Sequence, residues 1–241
     1  MTNYRKPNSN MLPTTSQSGL PVPDYLKLHY WWAYVHPKAV RFFERQWLVN
    51  LILWGNYNRL RDAALSAMGS PLKGKTLQVA CAYGDITPRM VQRMEPSATL
   101  DVIDVLPVQL GNLSAKLAPS ERIRLHCMNS AQLTFADQAF DQVLLFFLLH
   151  EQPADVRQQT LQEALRVLKP GGQLILVDYS KPGRFNPFRY LWKPVLMVLE
   201  PFAKDLFNKG IAHWLPQHHG LEETSRKSFF GGVYQLITLT R

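Results

Sequence analysis

Apolar residues along this chain follow two rhythms. From Pro37 to Met68 no further proline intervenes, and Phe43, Trp47 and Leu51 recur at i, i+4 and i+8 while Arg41 and Arg45 fall elsewhere. That spacing predicts one amphipathic helix, ending near Gly69-Ser70-Pro71. Beyond it, short apolar runs predict strands near 76–81, 99–104, 123–127, 141–148 and 173–178, with helices near 87–95, 107–117 and 154–168. Alternation of this kind predicts βαβ units, hence an α/β domain with a parallel sheet covered on both faces. The unbroken run DQVLLFFLL fits a central strand of such a sheet. Near the end, SFFGGVYQLITLT places Gly231-Gly232 between two β-rich runs and predicts an antiparallel hairpin at the sheet edge.

Composition narrows the class. A chain of 241 residues with 46% hydrophobic positions is enough for one core. Its two cysteines, Cys81 and Cys127, are no framework for a disulfide-stapled fold and read as reduced thiols of a cytoplasmic protein. Residues 1–24 read as a disordered leader, residues 25–70 as an aromatic helical cap, and residues 71–241 as the α/β domain, with 181–215 a basic aromatic insertion over the site.

The net charge of +9 is unevenly placed: residues 1–75 carry +7 and residues 180–209 carry +4, whereas residues 76–179 carry −3. Both basic segments are rich in Trp, Tyr and Phe. Cations interleaved with aromatics suit a peripheral position on an anionic membrane surface, a nucleic acid, or a helical cap whose aromatics are core. The acidic centre leaves no basic groove beside the expected site, so no nucleic acid is expected there.

In an open α/β sheet, ligands bind beyond the carboxyl ends of the strands. Here those ends are VACAYGDIT (79–87), Asp104, Asn129-Ser130, His150-Glu151 and Asp178-Tyr179. Asp104 stands about 20 residues beyond Gly84, the spacing of a ribose acceptor. It could equally be a turn residue. His150 and Glu151 are candidates for acid-base or metal chemistry, or for a plain strand-end cap. His213, His218 and His219 read as an exposed loop rather than a metal site.

The segments LQEALRVLKPGGQLILVDY and AQLTFADQAFDQVLLFFLLHEQP resemble the class I S-adenosylmethionine-dependent methyltransferases, especially those acting on quinone precursors. The resemblance implies a Rossmann-like fold with a mostly parallel seven-stranded sheet. It makes Val79 to Asp85 the loop around the methionine part of S-adenosylmethionine, including Ala80, Ala82, Tyr83 and Gly84. It further implies that Asp104 accepts from the ribose, that Asn129 replaces the usual adenine-contacting aspartate, that Val105 and Ser130 also bind the cofactor, and that Phe146 lies behind the site and contributes to cofactor binding. The family usually has an acidic residue at Gln78 and glycines at Ala80 and Ala82. Without that acid, the cofactor's amino group loses a partner that favours the ammonium over the nucleophilic amine.

The altered loop and aromatic N-terminal segment together resemble a narrower family, the rhodoquinone biosynthesis proteins. That resemblance implies conversion of ubiquinone, with its polyprenyl tail, to rhodoquinone. The amino group would come from S-adenosylmethionine, with Mn2+ required. On this reading Tyr57, Tyr83, His150 and Glu151 are catalytic candidates, and His150, Glu151 and Asp85 are candidate metal ligands. The alternatives are ordinary methyl transfer to a lipophilic quinone or phenol, and a non-catalytic scaffold. The residues do not give the oligomeric state.

Overall fold

A computed structural model describes residues 21–30, 36–187, 190, 202–216 and 220–241. The α/β domain alternates as expected: β1 (Lys75–Val79), α5 (Ile86–Arg93), β2 (Thr99–Asp104), α6 (Pro107–Ser114), β3 (Ile123–Cys127), β4 (Phe140–Phe146), α7 (Ala154–Arg166) and β5 (Leu168–Tyr179). Two further strands follow, β6 (Glu222–Phe229) and β7 (Tyr234–Thr240), joined by a single turn of 3-10 helix over Phe230–Gly232. All seven strands form one sheet in the order β3-β2-β1-β4-β5-β7-β6. The first five are parallel, and β7 runs antiparallel to both β5 and β6. Strand order reverses between β1 and β4, which opens a crevice at their carboxyl ends. Apolar clusters fill both faces of the sheet, one around Tyr57, Leu60 and Leu144 and one around Leu77, Val143 and Leu161.

The N-terminal segment departs from the expected single helix. It forms α2 (Pro37–Phe43), α3 (Gln46–Ile52) and α4 (Tyr57–Ala67), after a short α1 (Asp24–His29). The first break falls where Glu44 turns inward to Lys116 and Asn112 of the α6 region. The second falls where Trp54 and Gly55 adopt φ of 52° and 75°, held by the Asn56 side-chain amide on the carbonyls of Leu53 and Trp54. The expected stripe therefore splits. Leu48, Val49 and Leu53 are buried, while Trp47 and Leu51 are 59% and 64% exposed.

The expected leader reaches too far into the cap. Residues 1–20 lie outside the described residues, but Val22 already packs with Leu26, Tyr30 and Leu106. The next helix is α8 (Ala203–Lys209), just after Phe202, whose ring meets Tyr25 edge-on at 6.2 Å. Much of the expected aromatic insertion, residues 188–189 and 191–201, lies outside the described residues, as do His218 and His219.

Candidate active site

The loop from β1 to α5 keeps a left-handed turn without its glycine. Ala80 sits at φ 69°, whereas Ala82 is absent from the positive-φ residues. At Ala82 the extra methyl meets no unusual backbone; at Ala80 the turn holds it in the left-handed region that glycine prefers. A left-handed alanine costs about 1–2 kcal/mol, and glycine would lose about 0.5–1 kcal/mol more entropy on folding. Ala80→Gly is thus expected to raise stability in urea unfolding by about 0.5–1 kcal/mol, and a destabilised variant would show that the methyl's packing outweighs the strain.

Gly84, at φ 88°, lies directly against Tyr57 of α4. The buried Tyr57 hydroxyl accepts the backbone N–H groups of Asp85 (2.8 Å) and Ile86 (3.2 Å), and donates to the Asp85 carboxylate (3.2 Å). It thereby satisfies the first turn of α5, where backbone donors have no partner within the helix. Burial and the Asp85 charge push the Tyr57 phenol above its ordinary value. Tyr57, expected to be catalytic, lines the cavity described next and is tied by these bonds to the turn between β1 and α5.

A cavity of about 300 Å³ opens at the carboxyl ends of the strands. Ala80, Ala82 and Tyr83 form its loop side, Asp104, Val105, Asn129 and Ser130 its far side, and Phe146, His150 and Glu151 its floor. Gln78, Gly84 and Asp85 are outside its lining. Gln78 is fully buried behind the loop, its amide donating to the Ala80 carbonyl (3.0 Å) and its oxygen accepting from Thr87 (2.7 Å). Asp104 accepts from the N–H groups of Cys81 (2.8 Å) and Leu106 (2.9 Å). Burial pushes its carboxyl up to about 6, against the pull of those N–H bonds. An acidic acceptor facing a mostly apolar slot fits a ribose. Asn129 lines the cavity, and its side-chain oxygen accepts from the N–H of Ala131 (3.0 Å).

His150 lies on a 3-10 turn, Leu149–Glu151, just beyond β4. Its Nδ1 is 2.9 Å from an oxygen of Asp178, at the end of β5, and both residues are buried. Asp178 also accepts from the N–H groups of Leu149, His150 and Tyr179, so the carboxylate fixes both the turn and the ring. The fully buried Arg157 holds the same turn through the carbonyls of Leu149 and Gln152. An imidazole oriented by a carboxylate at a cavity wall is an arrangement suited to proton transfer.

The expected metal set does not assemble. His150 Nε2 and Glu151 are 3.8 Å apart, but Asp85 is committed elsewhere, to Arg61 (2.8 Å) and Arg89 (2.6 Å). Burial alone would raise the Asp85 carboxyl, but the hydrogen bonds from Arg89 and Arg61 hold it below its ordinary value. Among the described residues no three His, Cys, Asp or Glu side chains come close enough to hold an ion together. Asp85 is thus corrected from a ligand to a loop anchor, because its arginine partners claim both its oxygens.

Several cavity residues were not singled out from the sequence. Tyr25, Leu26 and Tyr30 roof the cavity from α1, Gln109 donates to the Tyr83 hydroxyl (2.9 Å), and Phe147 enters at φ 56°. Asp178 was visible only as one strand-end carboxylate among several.

Comparison with known proteins agrees with this architecture. Residues 46–217 match the family model described as the ubiE/COQ5 methyltransferase family. A demethylmenaquinone methyltransferase of Bacillus licheniformis is 26% identical over 190 residues, 79% of this chain and 78% of that protein. Among solved structures, the mitomycin 7-O-methyltransferase MmcR covers 89% of this chain and 61% of its own, with a TM-score of 0.62 and 17% identity. The cyclase SpnF covers 76% of this chain and 80% of its own, with a TM-score of 0.53 and 16% identity. At these identities the structural likeness concerns the fold alone.

Proposed function

From a chain that belongs to the ubiE/COQ5 methyltransferase family, we propose an enzyme that binds S-adenosylmethionine and gives its amino group to ubiquinone: the amine displaces a ring methoxy group as methanol, the α proton leaves as two electrons pass into the quinone, and water cleaves the resulting imine, leaving reduced rhodoquinone and the cofactor's 2-oxo acid. The carrying observation is Gln78. Where the family usually has an acid, this chain has a neutral side chain with both ends already hydrogen-bonded, to Ala80 and Thr87. Two acids beside the loop are paired with cations, Asp85 with Arg61 and Arg89, and Glu44 with Lys116, while Asp104 and Glu151 line the cavity. A neutral Gln78 adds no charge that favours the ammonium over the free amine, and only the free amine is a nucleophile. The apolar wall formed by Val49, Ile52 and Leu53 gives a quinone tail a route towards the exposed face of α3.

A second reading, methyl transfer to a quinone ring carbon, is supported by the family and by the Bacillus relative. Cofactor carrying heavy nitrogen in its amino group and heavy carbon in its methyl separates the two. With ubiquinone and a demethylated quinone both offered, an aminoquinone holding heavy nitrogen supports amino transfer. A quinone holding the heavy methyl overturns it.

The raised Asp104 carboxyl sets a pH dependence. Ribose hydroxyls donate to the ionised form, so cofactor affinity should be full above pH about 6 and fall below it, by up to about tenfold per pH unit. In the empty protein the sign is opposite: the group's contribution to folding is present below its unfolded value and lost as pH rises through about 6. Equilibrium dialysis of labelled cofactor between pH 5 and 8 checks this. An affinity flat across that range would remove Asp104 from the ribose.

A further inference from the structure

The segment Phe42-Phe43-Glu44-Arg45 faces two ways. Phe42 is 45% exposed, and the Arg45 guanidinium lies over its ring at 5.4 Å. Phe43 turns inward, stacks on Tyr83 of the cofactor loop (6.3 Å between centroids) and lines the cavity. The Glu44 carboxylate accepts from the backbone N–H of Gly84 (3.2 Å), from Lys116 (2.7 Å) and from Asn112 (2.6 Å). Lys116 in turn donates to the Gly84 carbonyl (3.0 Å). The same few residues that present an outer surface therefore fasten the glycine of the loop.

That outer surface has a definite chemistry. Trp47, Leu51, Ile52 and Trp54 are all at least 42% exposed, and Lys38, Arg41 and Arg45 are exposed around them. Glu44, the only acidic residue between positions 36 and 54, faces inward. Ile52 belongs both to the outer face and to the cavity wall. An apolar, tryptophan-bearing face ringed by cations fits the headgroup boundary of an anionic bilayer, and its continuity with the cavity favours that occupant.

We propose that this face docks on anionic lipid, and that docking and cofactor binding strengthen each other through Phe43 and Glu44. The bilayer binds α2 and α3 in their seated arrangement. Seating places Phe43 on Tyr83 and Glu44 on Gly84, which orders the loop that holds the cofactor. A state favoured by one ligand is thereby the state favoured by the other, and the coupling is reciprocal. The inference rests on the cofactor assignment above, but not on which group is transferred.

The test uses the full chain, labelled S-adenosylmethionine, and vesicles of phosphatidylcholine with or without phosphatidylglycerol. Vesicles containing phosphatidylglycerol should sediment the protein and tighten cofactor binding by at least about fivefold, and saturating cofactor should tighten vesicle binding by the same factor. Trp47→Ala combined with Leu51→Ala should abolish sedimentation and leave the lipid-free affinity unchanged. Glu44→Gln should still sediment but lose the coupling, and Lys116→Gln, outside the docking face, should behave alike. An unchanged cofactor affinity on bound vesicles overturns the coupling, and failure to sediment with anionic vesicles overturns the dock. Concentration-dependent self-association through Trp47 and Leu51 without lipid would assign the face to a second copy instead. Absence of cofactor binding under every condition would strike the cofactor assignment itself.

Discussion

His150→Ala is expected to lower turnover by about 10²–10⁴-fold while cofactor affinity stays within about twofold of wild type. The split follows from geometry. His150 is buried at the cavity floor with its ring held by Asp178, so removing it takes away a group oriented for proton transfer. On the function proposed above, the cofactor's ribose and methionine ends meet other lining residues, Asp104 and Ala80 to Tyr83. Any transfer in which an amine or a ring hydroxyl acts as the nucleophile must shed a proton, and a positioned imidazole can accept it. Labelled product measured by mass spectrometry gives the turnover, and dialysis gives the affinity. Turnover within about threefold of wild type would make His150 a packing residue, with Asp178 serving only the backbone N–H groups of Leu149, His150 and Tyr179.

The second large effect concerns Gly84. A methyl placed there would overlap the Tyr57 hydroxyl and stand 2.5 Å from its Cζ, at a φ of 88° that side chains rarely adopt. Tyr57 is fully buried, so it cannot swing aside without releasing Asp85 and Ile86. Gly84→Ala should therefore destabilise by about 2–4 kcal/mol, combining left-handed strain with overpacking. It should also weaken cofactor binding by at least about tenfold, since a shift of the 80–84 loop by a few tenths of an ångström misplaces its contacts. Combining it with Tyr57→Phe should not restore either property, because the ring carbon obstructs as well as the hydroxyl. Urea unfolding and cofactor dialysis on the single and double variants measure both. A Gly84→Ala protein with wild-type affinity would mean that the loop yields freely.

Much of the fold was legible because the sheet is written locally. Most strands are apolar runs bounded by polar turns, the exposed edge strand β6 (EETSRKSF) being polar, and the Gly231-Gly232 pair marked the hairpin that closes the sheet. The strand ends could be read from single segments for the same reason, and Asp104, Ala80 and Ser130 line one cavity. The N-terminal segment was not, because its breaks depend on partners far along the chain. Glu44 turns towards Asn112 and Lys116, and no periodicity announces that. Asp85 misled for a related reason. Its sequence position suits a ligand, but Arg61 approaches it from another helix. Asp178 and His150 needed adjacent strands to bring them together. SpnF, a cyclase sharing the fold, is a reminder that the architecture alone does not choose the reaction.

The packing of Phe202 against α1 carries a consequence for the order of events during synthesis. Tyr25, His29 and Tyr30 all place their rings on Phe202, within 6.5 Å between centroids. The α1 helix thus finishes its contacts with a residue made long after it. Until then its aromatic rings lack their native surface, and its side of the cavity cannot close. Because contacts so distant in sequence form slowly, the nascent chain spends its vulnerable interval with the α/β sheet partly assembled and α1 undocked.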